Sequence, residues 1–355
     1  AWSYTLDTNS TGHSDQGTSV DGIRELFDIE VEDSDGDTAD STLGIDVNDD
    51  VPTLSIDDTP ATVTEGATVD GTWSTESGAD TPASVTVTAG GTPQTLDMSD
   101  AANSVTLNTG KGELTVQADG SWSFVANDNQ DQASGTPSVD FSIATEDADT
   151  DTASDSHTIT ITDGAGPGEP GDDPGIPVLS LKDEETLGGS SSSASVSVSF
   201  TAGSDDLTSF TFANTTPSVT GLANGETLSW STNGGDRVAT LNSTGEQVLT
   251  LSLSNTGNIA AGTSGNVTVT ATLTESLPHA IDADFLHTLE GIDIIATDID
   301  GDQDTQPVTV YVTDDEPTLN IVDTPATVTE GATVDGTWST DSGADTPASV
   351  TVTAG

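Results

Sequence analysis

Three short segments carry aspartate at alternate positions: Asp33-Ser34-Asp35-Gly36-Asp37, Asp147-Ala148-Asp149-Thr150-Asp151 and Asp298-Ile299-Asp300-Gly301-Asp302. Alternating carboxylates on one loop can converge on a hard cation. A hard cation such as calcium takes about six to eight oxygens at roughly 2.3–2.6 Å. Without an ion, three adjacent carboxylates repel one another. A solvated acidic turn is the plain alternative, but each cluster stands just before an alternating segment such as Val308-Thr309-Val310-Tyr311-Val312. That recurrence favours metal. An EF-hand is excluded, because its glycine at the sixth position and its distal glutamate are missing and no helices flank the loops.

The whole chain needs positive charge from outside. It has 355 residues, 61 of them acidic against 4 basic, for a formal net charge of -57. Arg24, Lys111, Lys182 and Arg237 are the only Lys or Arg available to pair with those carboxylates. Such a charge density opposes a compact state by self-repulsion. Disorder would be the default for an acidic chain poor in aromatics, but the apolar residues alternate too regularly for that. Nucleic acid is excluded as a partner, since its phosphates would be repelled. There is no cysteine, so neither disulfides nor thiolate metal sites are possible. No apolar run reaches the roughly 20 residues that span a bilayer, so no membrane insertion is expected. The chain opens inside a domain and is expected to be part of something longer.

The elements that must hold these loops read as β throughout. Period-two runs recur, as in Ser84-Val85-Thr86-Val87-Thr88, Ser195-Val196-Ser197-Val198-Ser199 and Val267-Thr268-Val269-Thr270, and Gly, Asn and Asp turns separate them. The best helical candidate is a turn or two around Ala280–His287. Many short strands with frequent turns predict an all-β protein of tandem immunoglobulin-like Greek-key β-sandwich domains, arranged as an extended rod. Trp73, Trp122, Trp230 and Trp338 are expected in cores.

Internal repetition sets the boundaries. Residues 52–90 and 317–355 match at all positions but Ser55/Asn320, Asp57/Val322 and Glu76/Asp341. Packing does not demand identity at so many Thr, Ser and Asp positions, so a recent duplication of a two-domain unit of about 265 residues is the better account. The expected organisation is 1–50 as the end of a repeat, 51–163 as a complete repeat and 164–175 as a Gly/Pro/Asp linker. A longer repeat follows at 176–315, and 316–355 begins another.

In an immunoglobulin-like domain the loop before the last strand lies at the pole where the chain enters. An acidic pair after the last strand lies at the exit pole. Asp49-Asp50 precedes Pro52, and Asp314-Asp315 precedes Pro317. One interdomain site should therefore join Asp49 and Asp50 to Asp147, Asp149 and Asp151. A second should join Asp163, Asp172 and Asp173 to Asp298, Asp300 and Asp302. The set of metal ligands is completed by Asp33, Asp35, Asp37, Asp314 and Asp315, with Glu65 and Glu330 as extra candidates.

These residues carry a resemblance. Trp122 followed by Asp147-Ala148-Asp149-Thr150-Asp151, and the Asp-Asp-x-Pro junctions, resemble repeats of giant type I-secreted bacterial adhesins. The stretch from Ser276 through Asp302, with Leu277-Pro278-His279 and Ala296-Thr297-Asp298, is similar to the closing segment of a longer repeat in those adhesins. The resemblance implies extracellular, calcium-rigidified domains on the bacterial cell surface that hold a ligand-binding tip away from the cell, in adhesion or biofilm formation. Its implied partners are calcium ions, neighbouring repeats of the same chain, and a host or biofilm ligand reached by other regions. Asp163-Gly164 departs from the Asp-Asp-x-Pro junction and leaves a longer, glycine-rich connection.

An enzyme is not expected. His13, His157, His279 and His287 are dispersed, no cysteine nucleophile exists, and no Gly-x-Ser-x-Gly elbow is present. Histidines 279 and 287 near Asp282 and Asp284 offer a weak transition-metal alternative. Two functions from different classes remain. One is a structural extender whose repetition sets length; the other makes 176–315 itself a glycan- or peptide-binding module.

Overall fold

In the computed structural model, residues 1–8, 23–81, 83–168, 175–223, 225–280, 286–322, 327–344 and 349–353 are described below. The chain divides into two compact units, Ala1–Gly164 and Ala165–Gly355. It is all-β, with a single short 3-10 segment among the described residues.

The first unit opens on a hairpin of β1 (Arg24–Glu32) and β2 (Thr38–Asp46). There follow β3 (Thr53–Ile56), β4 (Thr62–Thr64), β5 (Thr68–Glu76), β6 (Ser84–Ala89) and β7 (Thr92–Leu96). The run closes with β8 (Ser104–Asn108), β9 (Gly112–Gln117), β10 (Ser121–Ala126), β11 (Ser138–Glu146) and β12 (Thr152–Thr162). Two five-stranded sheets result, in the orders β3-β5-β10-β9-β8 and β4-β12-β11-β6-β7. The first edge is split between them: β3 joins one sheet antiparallel, and β4 joins β12 of the other in parallel. That split edge, with β5 and β6 on opposite sheets, is immunoglobulin-like Greek-key wiring.

Period-two patterning explains the layers. Along β11 the residues Val139, Phe141, Ile143 and Thr145 are buried and their neighbours face outward. Trp122, Phe124, Phe141, Ile159 and Ile161 fill the gap between the sheets. Trp122 meets Phe141 edge-on at 5.3 Å between centroids, a preferred aromatic geometry. Gly71 is obligatory here, since a Cβ would fall 2.2 Å from the Trp122 ring.

The second unit contains β13 (Val178–Lys182), a 3-10 turn at Asp183–Gly189, β14 (Ser192–Thr201), β15 (Ser209–Phe212) and β16 (Ser218–Thr220). Next come β17 (Leu228–Asn233), β18 (Asp236–Leu241), β19 (Gln247–Ser254), β20 (Ser264–Leu273), β21 (Leu286–Thr297) and β22 (Gln303–Thr313). A final pair is β23 (Thr318–Val322) with β24 (Thr337–Asp341). The sheets run β13-β22-β21-β15, with β16 also on β21, and β14-β20-β19-β18-β17. Here the opening strand itself pairs in parallel with the last long one, β13 with β22. Phe200, Leu207, Leu249, Val269, Ile294 and Val310 lie in one core.

Of the helical candidate around Ala280–His287, Leu286 and His287 begin β21, and 281–285 lie outside the described residues. The described 3-10 turn is Asp183–Gly189, broken at Leu187 and Gly188. Of the tryptophans, Trp73 and Trp122 are buried, Trp230 is half-buried, and Trp338 is 58% exposed. In the sequence repeat Trp338 occupies the place of Trp73.

The start of the expected linker is tied down within the second unit. Gly168 and Thr201 exchange backbone hydrogen bonds at 3.1 and 3.2 Å, and Ser204 N donates to Ala165 O at 2.8 Å.

Candidate metal sites

The three acidic loops have one geometry. Each joins the last two strands of its sheet: β1 to β2, β11 to β12, and β21 to β22. In each, the first aspartate's N–H donates to the fifth residue's carbonyl, at 3.0 Å for Asp33, 3.1 Å for Asp147 and 3.1 Å for Asp298. In each, the fifth residue's N–H donates back to Oδ1 of the first aspartate, at 3.0, 2.9 and 2.8 Å. The fourth residue takes positive φ: 96° at Gly36, 82° at Thr150 and 97° at Gly301. The loop thus closes on its own first carboxylate. One carboxylate oxygen from each of Asp33, Asp35 and Asp37, and from each of Asp147, Asp149 and Asp151, lies within 4.8 Å of the others.

Burial separates the loops. Asp33, Asp35 and Asp37 are exposed, and hydrogen bonds from Asp35 and from the loop amides hold Asp33 below the ordinary carboxylate range. Asp147 and Asp151 are buried. Burial, with Asp149 alongside, pushes Asp147 up to about 6. Burial raises Asp298 too. A carboxylate that is driven toward protonation by burial and by like neighbours is one that a cation would stabilise.

Asp49 and Asp50 come to the same pole as the 147–151 loop through a residue that sequence reasoning missed. Asp80 is 2% exposed and groups with Asp49 and Asp50, one oxygen of each lying within 4.8 Å. Its carbonyl accepts from Ala148 N at 3.3 Å, tying it to the acidic loop. Asp50 Oδ2 accepts from Ala79 N at 2.7 Å. Gly78, at φ 70°, leaves room for that carboxylate; a Cβ there would sit 2.4 Å from Asp50 Oδ2. The duplicated segment repeats this contact: Ala344 N donates to Asp315 Oδ2 at 2.9 Å, and a Cβ on Gly343 would fall 2.2 Å from Asp315 Oδ1. The signal for Asp80 was present in the Ser-Gly-Ala-Asp identity of the two copies, 77–80 and 342–345.

Other expected ligands fall elsewhere. Asp163 is exposed directly after β12. Glu65 is buried and is not with the 147–151 loop: its N–H donates to Thr162 O at 3.1 Å, beside Asp163. Its Oε1 accepts from Gln130 N at 2.9 Å and Gln132 Nε2 at 2.6 Å. Glu330 is exposed. Asp172 and Asp173, like Asp282 and Asp284, lie outside the described residues. In the third loop Asp298 is buried, Asp300 half-buried and Asp302 exposed. Asp314 lies beside His279 and Asp183.

The four strong bases serve other ends. Arg24 pairs with Asp46 at 3.4 Å, and Lys111 Nζ donates to Ser138 O at 3.0 Å. Buried Arg237 donates to Asn214 and to Thr215 O and lies over Trp230. The Lys182 side chain is exposed. His157, 3.7 Å from Asp58 and packed on Trp122 and Phe141, has a core role.

No protein-family model matches the chain, and no curated protein sequence matches it. Solved structures that align include a titin A168169 structure, at TM-score 0.26 and 11% identity, over 74% of this chain and 99% of that one. The CbhA fibronectin(III)-like modules of Clostridium thermocellum align at TM-score 0.20 and 10% identity, over 74% and 94%. A 1.5-MDa bacterial ice-binding adhesin aligns at TM-score 0.24 and 15% identity, over 81% and 74%.

Proposed function

We propose that this chain is a non-catalytic, calcium-stiffened extender segment of an extracellular adhesin, with 51–163 and 176–315 as its repeating pair of sandwiches. The observation that carries the reading is the convergence of Asp49, Asp50 and Asp80 with the Asp147–Asp151 loop at one pole of a sandwich. A calcium ion takes about six to eight oxygens. The pole offers the loop's own carboxylates together with those of the segment that enters the domain. An ion held by both would fix the entering chain to the sandwich and offset the like charge gathered there.

The remaining loops serve the same purpose with fewer carboxylates, Asp33–Asp37 between β1 and β2 and Asp298–Asp302 between β21 and β22. Like charge on every domain opposes side-by-side packing. Near-identical copies then add reach without adding chemistry.

Calorimetry and small-angle scattering in calcium and in chelator test this together. Calcium should raise the melting temperature by many degrees, since a ligand of the folded state stabilises it by mass action. It should also narrow the range of maximum dimensions. Equal melting and equal scattering in both buffers would overturn the reading. Saturable glycan or peptide binding mapped to 176–315 would replace the spacer role with a receptor-gripping one.

A further inference from the structure

Within the second unit one buried cluster mixes nitrogen with oxygen. Asp183 opens the 3-10 turn after β13 and is fully buried. His279 precedes β21 with its side chain 6% exposed, and Asp314 follows β22 with its side chain 11% exposed. Nδ1 of His279 lies 3.2 Å from Asp314 Oδ1 and 3.7 Å from Asp183 Oδ2. One ligand atom from each of the three residues lies within 4.8 Å of the other two.

The backbone around them is pinned. Ala280 N donates to Gly221 O at 2.9 Å and Ala223 N to Pro278 O at 2.8 Å, so the segment carrying His279 is bracketed on both sides. Thr186 Oγ1 donates to Asp183 O at 2.7 Å and closes the turn that presents Asp183. The imidazole of His287 stacks on that of His279 at 3.7 Å between centroids. Such rigid support is what a metal site requires of its surroundings.

We propose that Asp183, His279 and Asp314 bind a divalent transition metal ion of the zinc type, at a site separate from the calcium loops. The inference goes beyond the calcium reading and moves Asp314 out of the calcium set. Two arguments carry it. First, ligands about 2.0–2.1 Å from a zinc ion at tetrahedral angles stand roughly 3.3 Å apart, close to the two observed separations. Second, imidazole nitrogen suits zinc and its neighbours, whereas calcium keeps to oxygen. Held there, the ion would clamp the turn after β13 to the exit of β22, directly ahead of Asp315.

The test is a metal titration of the full chain in saturating calcium, which occupies the oxygen-only sites. Cobalt(II) should bind in one equivalent with the intensified visible bands of a low-symmetry nitrogen–oxygen site, and zinc should displace it. His279→Gln and Asp183→Asn should each weaken zinc by at least about tenfold, while His157→Gln leaves it unchanged. Calcium-dependent melting should survive in His279→Gln, which separates this site from the calcium reading. Should neither variant fold, the parent's cobalt spectrum decides: no band intensification overturns the proposal. Absence of zinc uptake in calcium, or equal affinity in parent and His279→Gln, overturns it as well.

Discussion

At the scale of single residues, the chain treats its carboxylates in two ways. Exposed aspartates are tied into turns by hydroxyls and amides: Asp119 with Ser121, Asp97 with Ser99, Asp57 with Thr59. Those bonds hold all three below their ordinary range. Asp147 is the reverse case, raised by burial from 3.8 to about 6. An acid raised in the folded state stabilises the fold below its unfolded value and loses that contribution as pH climbs through the folded one. In chelator, the parent should therefore lose stability relative to Asp147→Asn as pH rises from about 4 to about 6. Parallel denaturation midpoints for the two proteins across that window would refute it. Thr150 gives a second prediction. It stands at φ 82° where its sister loops have Gly36 and Gly301, and a β-branched side chain is strained there by about 1–2 kcal/mol. Thr150→Gly should raise the denaturant midpoint in calcium by roughly 1 kcal/mol of stability; a lower midpoint would show that its side chain outweighs the strain.

At the scale of elements, close backbone approach decides what the strands can carry. Gly203 lies under the segment that enters the second unit, and a Cβ on it would fall 1.7 Å from Ala165 O. That oxygen belongs to backbone and cannot swing aside. Gly203→Ala should cost about 1–3 kcal/mol and free the Ala165–Gly168 segment. Hydrogen exchange at the Ser204 and Thr201 amides checks this, since both donate to that segment; unchanged protection would sink it. The same logic explains the duplicated glycines. Gly78 and Gly343 share φ 70° and each admits a junction carboxylate, Asp50 or Asp315, onto the next amide.

At the scale of the whole molecule, a net charge of -57 dominates. Its cost should be visible apart from any specific site. In chelator, sodium chloride should raise the melting temperature progressively, because roughly 0.15 M salt already screens charges beyond about 8 Å. In calcium the same salt should do much less, since bound ions have removed the strongest local repulsion. A salt response of equal size in both buffers would mean that calcium acts through a few ligands and not through the charge of the chain.

Sequence alone determined the all-β class, because a period of two runs through Val139–Thr145 and its counterparts and suits no other element. It determined the acidic loops as well, since Asp-x-Asp-x-Asp is local, and a five-residue loop closed on its own carboxylate needs nothing from afar. The 265-residue repetition was equally open to inspection, being a property of letters. Tertiary structure decided which carboxylates meet. Asp80 joins Asp49 and Asp50 because the turn between β5 and β6 folds over the pole, a contact set by sheet order and not by spacing. Glu65 went beside Asp163 because β4 runs parallel to β12, which carries the residue after β4 toward the far end of that strand. Asp183, His279 and Asp314 lie far apart in the chain and meet only where β13, β21 and β22 share a sheet.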